Sequence, residues 1–259
     1  GFAGSRWRGG WVLLVLGLAG LAESAQAAVP LRDADYPGTI TLEVDASDLA
    51  HRLFRVHESI PVRPGSLTLY FPQWLPGNHA PRGAIDALSG LTIRAGERRL
   101  AWSRDPADVY AFRVEVPRGT QSIDIEFQFA SPQNPDQGRV TMTPDIVGVQ
   151  WEQVLLYPAG YAASRIPVSA SLTLSTGWQA ATSLDVASRD GDRIRYRTTS
   201  LETLVDSPVF TGRYSRREDL DPGSAVPVHL NVFADSSDEV AIGADQLAIH
   251  RKLVQEAFR

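Results

Sequence analysis

IDIEFQF, residues 123–129, alternates apolar and polar residues without a break. Ile123, Ile125, Phe127 and Phe129 fall on one side of an extended chain, and Asp124, Glu126 and Gln128 fall on the other. A period of two marks a strand with one dry face and one wet face. The same period recurs through Tyr110, Phe112, Val114 and Val116, and again through Val168, Ala170, Leu172 and Leu174. Val226, Val228, Leu230 and Val232 repeat it once more, and shorter strands are expected at 40–44, 54–60, 67–71, 91–95 and 194–197. Ala95-Gly96-Glu97 and Arg189-Asp190-Gly191-Asp192 suit tight hairpins, the Asp-Gly pair above all. Many short strands with one wet face predict a mainly β fold, an antiparallel β-sandwich or a saddle-like pair of sheets.

The pattern changes after Asp235. Ser236 or Ser237 can cap a helix, with Asp238 and Glu239 in its first turn. Ala244, Leu247, Arg251, Val254 and Phe258 then recur at helical spacing, with Leu247, Val254 and Phe258 as the apolar anchors. A domain boundary is expected near residue 235. The helix, 236–259, is expected to open a further domain that lies outside this chain.

At the other end, Arg6 and Arg8 precede the apolar run WVLLVLGLAGLA, residues 11–22, and Ala25-Gln26-Ala27 follows it. Charged head, short apolar run and small-x-small site read as a secretory signal, cleaved after Ala27. The run falls short of the ~20 apolar residues that a membrane span needs. The expected divisions are therefore a signal peptide at 1–27, a β domain at 28–235 and the helix at 236–259. The mature protein is expected in the periplasm or the medium, with no stable membrane anchor.

The composition narrows the chemistry. With no cysteine, an exported chain has neither disulfides nor thiolate metal sites. The net charge is −5, and its arginines are scattered rather than clustered, which argues against a nucleic-acid partner. The histidines are His51, His57, His79, His229 and His250, and no two stand four apart on a helix to hold zinc. There is no Gly-x-Ser-x-Gly elbow and no phosphate-cradling glycine loop. No catalytic or metal-binding residue is assigned within the chain.

Three clusters stand out from the strand pattern. In FPQWLPGNHAPRG, residues 71–83, Pro72, Pro76 and Pro81 forbid a helix or a central strand. Trp74 with Pro76 and Gly77 forms either a stacking platform for a sugar or peptide or a plug at a sheet edge, while Asn78 and His79 face a neighbour. The second cluster runs from Trp151-Glu152 to LLYPAGY, residues 155–161, and is too apolar for one wet face. Its Tyr157 and Tyr161 hydroxyls need partners if buried. In the third, LVDSPVF, residues 204–210, Asp206 interrupts an apolar run beside Pro208. That acid either caps the turn through Ser207-Pro208 or serves as an acid in a site.

In this order, the clusters resemble the N-terminal part of the glycyl aminopeptidase family, the sixty-first family of zinc metallopeptidases. WLPG at 74–77 is similar to the family's Trp-x-Pro-Gly segment, with His79 where the commoner form has tyrosine. LLYPAGY at 155–161 and TLVDSPVFTGRY at 203–214 are similar to later blocks, and HRKLVQEAFR at 250–259 resembles the helix that enters the catalytic domain. The resemblance implies a thermolysin-like, gluzincin-type enzyme in which a His-Glu-x-x-His helix and a downstream Glu hold zinc. Such enzymes release N-terminal Gly or Ala from peptides. Those catalytic residues would lie beyond Arg259, so this chain alone is expected to be inactive. Zinc is expected in the full-length protein and none in this fragment. The partners implied are the catalytic domain in cis and a peptide substrate. Trp74, Pro76, Gly77, Asn78, His79, Tyr157, Tyr161, Asp206 and Pro208 are then structural or interdomain residues. The rival expectation is an independent periplasmic binding module for peptides or glycans that uses Trp74, Tyr157 and Tyr161.

Overall fold

In the computed structural model, which describes residues 29–75, 80–137 and 140–258, the segment IDIEFQF lies in the strand Ser122–Ala130. Ile123, Ile125, Phe127 and Phe129 are buried along it, while Glu126 is exposed. Alternation there has become burial. The strand sits inside a nine-stranded sheet, between Leu53–Pro61 and Leu88–Ala95. From one edge the order is Val186–Asp190, Arg193–Tyr196, Pro167–Thr173, Ile40–Asp48, Leu53–Pro61, Ser122–Ala130, Leu88–Ala95 and Arg98–Leu100. Thr199–Ser200 joins as a branch on Pro167–Thr173.

A second sheet of four strands runs Tyr157–Pro158, Gly65–Tyr70, Ala111–Val116 and Trp102–Arg104. Its dry face meets that of the large sheet, and Phe71 stacks on Phe129 with centroids 6.5 Å apart. Leu69, Phe112, Val114 and Val116 on one side and Leu42, Phe54, Ile60 and Ile125 on the other belong to one buried core. Burying side chains of this size stabilises the fold by about 1.5–3 kcal/mol each. A three-stranded sheet, Gln179–Ala181, Val209–Gly212 and Ile146–Val149, and a ribbon, Tyr214–Asp219 with His229–Ala234, complete the β structure. The molecule is mainly β, with antiparallel and mixed sheets, as the alternation predicts.

Three local features differ from the sequence expectation. Ile40–Asp48 pairs with Pro167–Thr173 in parallel, Ile40 opposite Val168. No hairpin joins these strands, and side-chain alternation looks the same in either direction, so the sequence pattern carries no sign of it. In the Asp190-Gly191 hairpin, Asp190 pairs with Arg193, so the loop is Gly191-Asp192 and not Asp-Gly. Gly191 has φ +56, the glycine-first pattern of a type II′ turn, and Gly96 does the same between Ala95 and Arg98. At the end of the β region, Val226 is 57% exposed and the strand starts only at His229.

The C-terminal helix starts later than its capping signals suggest. Ser236 to Glu239 form turns, and the helix is Ala244–Ala257 with Gly243 at its N-cap. The Gly243 N–H donates to the Gln246 side chain at 3.4 Å. None of its residues is fully buried, and Leu247 and Val254 are half-buried, whereas Ile249, Leu253 and Phe258 are more than half exposed. No helix of the described residues is long and apolar enough to cross a membrane. The expected signal peptide, 1–27, lies outside the described residues.

Candidate functional site

The first cluster is a loop pinned at its base. The Phe71 N–H donates to Tyr110 O at 2.9 Å, and the Arg82 and Gly83 N–H groups both donate to Gln73 O, at 2.9 and 3.1 Å. Trp74 bridges Pro81 across the loop. The Tyr110 hydroxyl donates to Gly83 O at 3.0 Å. Gly83 is there because nothing larger fits: a Cβ would stand 2.0 Å from Pro72 O and 3.1 Å from Tyr110 Cε1. Trp74 itself is 64% exposed, so most of its indole surface remains open to solvent. Pro76, Gly77, Asn78 and His79 lie outside the described residues.

The second cluster passes beneath this loop. Tyr157–Pro158 adds to the strand Gly65–Tyr70, Tyr157 opposite Tyr70, and their rings lie 5.9 Å apart at 49°. Tyr157 and Tyr161 part company here. Tyr161 turns to Tyr36, edge to face at 5.0 Å, and its hydroxyl accepts from Arg32 Nη1 at 2.8 Å. Trp151, fully buried, donates from its indole N–H to Ser207 O at 3.0 Å and so ties the second cluster to the third.

The third cluster is not one apolar run but a short helix, Leu201–Val205, followed by a turn. Ser200 caps it by accepting from the Thr203 N–H at 3.1 Å, a signal visible as Ser-Leu-Glu-Thr in the sequence. Leu201 and Leu204 face the core. Asp206 closes the helix at its C-cap, its N–H donating to Glu202 O at 3.1 Å, and the residue is exposed. Pro208 is half-buried between that turn and the strand Val209–Gly212.

Between the three clusters lies a pocket of about 570 Å³. Trp74, Leu75 and Gln73 come from the loop, Tyr70 and Tyr157 from the paired strands, and Leu201, Glu202 and Val205 from the helix. Asp108 and Tyr110 close another side. The structure thus brings Trp74 and Tyr157 together and leaves Tyr161, Asp206 and Pro208 out of the pocket lining. Asp108 was not evident from sequence, because it sits in an Asx-rich turn: its carboxylate accepts from the Tyr110 N–H at 3.0 Å, two residues on. Asp105 beside it is held below the usual carboxylate range, chiefly by the Ala107 N–H at 2.8 Å, and also pairs with Arg113. Burial, and then the negative charge of Asp108 and Asp105, raises the Tyr70 phenol, and burial with Tyr70 and Asp108 raises Tyr157. Both phenols are therefore neutral at ordinary pH, available as donors.

A buried acid supports this wall from behind. Glu58 shares the inward face of its strand with Phe54, Val56 and Ile60, and is 0% exposed. Its Oε2 accepts from the Leu156 N–H at 2.9 Å, one residue before Tyr157. Burial raises its pKa well above the carboxylate range, against which the single amide donor pulls only weakly. The sequence reading missed it, although the signal is there: an acid on the parity of three core residues.

A second hollow, about 470 Å³, lies on the wet face of the large sheet. Its lining mixes Glu43, Asp45 and Glu126 with Arg55, His57 and Arg193, and Glu43 pairs there with Arg193. The aromatic pocket is different, with two carboxylates and, among the described residues, no cation in its lining. Among the described residues no group of three or more His, Cys, Asp or Glu is placed to hold a metal ion.

Comparison with known proteins fits this geometry. The family model for the peptidase M61 N-terminal domain matches residues 41–213. Among solved structures, an aminopeptidase N family protein from Idiomarina loihiensis superposes with a TM-score of 0.66 at 17% identity, covering 84% of this chain and 36% of that one. At that identity the likeness speaks for the fold. Looser likenesses are an M1 zinc metallopeptidase from Deinococcus radiodurans, TM-score 0.41, 13% identity, covering 79% of this chain and 49% of that one, and aminopeptidase A from Legionella pneumophila, TM-score 0.43, 7% identity, covering 75% and 23%. The chain thus spans about a third of the Idiomarina protein's length. No curated protein matches.

Proposed function

The chain belongs to the peptidase M61 N-terminal domain family, and from that premise we propose that it is the non-catalytic β domain of an exported zinc aminopeptidase of the glycyl aminopeptidase, gluzincin type. The observation that carries the reading is the family match over residues 41–213, which takes in both large sheets and the aromatic pocket. The full-length protein would remove N-terminal Gly or Ala from peptides. Its His-Glu-x-x-His helix and its zinc would belong to a further domain, since the described residues of this chain offer no fitting set of ligands. The β domain would be 28–235, and the helix Ala244–Ala257 would lead into the catalytic domain, its exposed Ile249 and Leu253 meeting it. Cleavage after Ala27 would release the protein to the periplasm or the medium.

Two proteins test this together: residues 28–259, and a longer form that carries the catalytic segment. Glycyl and alanyl p-nitroanilides are the substrates, with and without a chelator. The longer form should release nitroaniline in a chelator-sensitive way, and residues 28–259 should not. Chelator-sensitive release by residues 28–259 alone would overturn the division of labour. A longer form that prefers other N-terminal residues would overturn the specificity.

A further inference from the structure

We propose that the aromatic pocket is a subsite for an arginine side chain of a peptide ligand. The choice of a peptide as occupant rests on the peptidase reading, whereas the choice of a guanidinium rests on the pocket's own chemistry.

Three observations select that group. Among the described residues the lining holds Asp108 and Glu202 and no cation. Asp108 is half-buried and forms no ion pair within the described residues. Among the described residues its carboxylate accepts a single hydrogen bond, from the Tyr110 N–H to Oδ1 at 3.0 Å, which leaves Oδ2 to a ligand. An anionic occupant would be repelled, and a purely apolar one would cover a carboxylate without neutralising it, which is costly.

The second observation is the set of ring faces. Tyr70 and Tyr157, 5.9 Å apart, and Trp74, 64% exposed, all line the pocket. A planar guanidinium can stack on such faces while its edge pairs with a carboxylate; a compact, strongly hydrated ammonium stacks less well. This chain already uses that chemistry elsewhere. The Arg32 guanidinium lies 5.2 Å from the Tyr161 ring centroid, and that of Arg104 lies 5.1 Å from Phe112.

The third is size and placement. At about 570 Å³, the pocket has the volume of a small-ligand site and far more than a single water needs. It is assembled from four separate parts of the chain, around 70–75, 108–110, 157–163 and 201–205, each fixed by its own hydrogen bonds, so its shape precedes any occupant. Glu202, exposed in the first turn of its helix, adds negative charge at the rim.

The test is a titration of the chain with acetyl-Gly-Arg-Gly-amide and with its citrulline and lysine counterparts. It follows the Trp74 indole N–H resonance, assigned with Trp74→Phe. The arginine peptide should give a saturable shift, and the citrulline peptide, equal in shape but uncharged, should bind at least tenfold more weakly. Asp108→Asn, whose amide oxygen can still accept from Tyr110, should weaken arginine binding at least fivefold with the far-UV spectrum unchanged. Glu202→Gln, on the exposed rim, should weaken it about twofold, the scale of a screened surface charge. Equal binding of citrulline and arginine peptides, an Asp108→Asn protein that binds as before, or no saturation with any of the three would overturn the subsite. Lysine binding within twofold of arginine would overturn the guanidinium assignment. Arginine-dependent binding without Gly or Ala release by the longer form would sink the peptidase reading and leave the subsite standing. Release without arginine-dependent binding would do the reverse.

Discussion

The strand Ser122–Ala130 and the helix Ala244–Ala257 are both amphipathic in sequence, and they meet opposite fates. The strand's four large apolar residues are buried, with Ile123, Ile125 and Phe129 at 0% exposure. The helix keeps its spacing just as well, and its Leu247 and Val254 do turn toward the body. Yet Ile249 and Leu253 remain 61% exposed. A periodic pattern instructs the backbone locally, but burial needs a second surface. The strand has the four-stranded sheet above it; the helix reaches the ribbon, where Arg251 donates to Asp219 O at 3.4 Å, and buries none of its residues among the described ones.

The sharpest way to break this contrast is to truncate one side chain on each element. Phe129→Ala should cost about 3–5 kcal/mol in a urea denaturation curve, because the cavity lies between two sheets that cannot close over it. A loss under about 1 kcal/mol would mean that the core is far looser than the Phe71–Phe129 stack implies. Next in size is Gly83→Ala, which forces a methyl group against Pro72 O and should cost about 3 kcal/mol at the loop base. It should also open the aromatic pocket, read as loss of the Trp74 indole shift with the arginine peptide.

Glu58→Gln sharpens the comparison from inside the body. The Glu58 carboxyl keeps its proton in the folded state at a pH where the unfolded chain has lost it. Its contribution is therefore complete below the ordinary carboxylate range and falls as pH rises from there toward the raised folded value. The native protein should lose stability with rising pH across that window with a slope approaching one proton. Glu58→Gln, which can still accept from Leu156, should flatten the slope. An unchanged slope would assign the pH dependence elsewhere. The smallest effect is expected on the helix: Leu253→Ala should move stability by no more than about 0.5 kcal/mol. A larger loss would show that this face is already covered in solution.

Much of the fold was legible because half-buried sheets write their burial directly into the chain. The strands around 40–60, 88–95, 111–130 and 167–173 all follow from parity. The parallel pairing of Ile40–Asp48 with Pro167–Thr173 was not, since parity has no direction. Nor was the start of the last helix at Ala244, since Ser236 with Asp238 and Glu239 makes an equally good turn. Of the site, Trp74 and Tyr157 were marked by their unusual surroundings. Asp108, Tyr70 and Glu202 were not, because each looks like an ordinary strand-end or helix-start residue until the three clusters meet. Convergence of separate segments is what a linear pattern cannot express.

The parallel pairing also sets an order of assembly. Ile40–Asp48, Leu53–Pro61, Ser122–Ala130 and Leu88–Ala95 can zip up antiparallel without any residue beyond 130, leaving the Ile40–Asp48 edge bare. That edge waits for Pro167–Thr173, with Ile40 joining Val168 across a long stretch of chain. Pairings of such separation fold slowly, and an unpaired edge is an invitation to another copy. During folding the domain therefore passes through an interval in which the strand Ile40–Asp48 is an adhesive open edge, and arrival of the strand Pro167–Thr173 ends it.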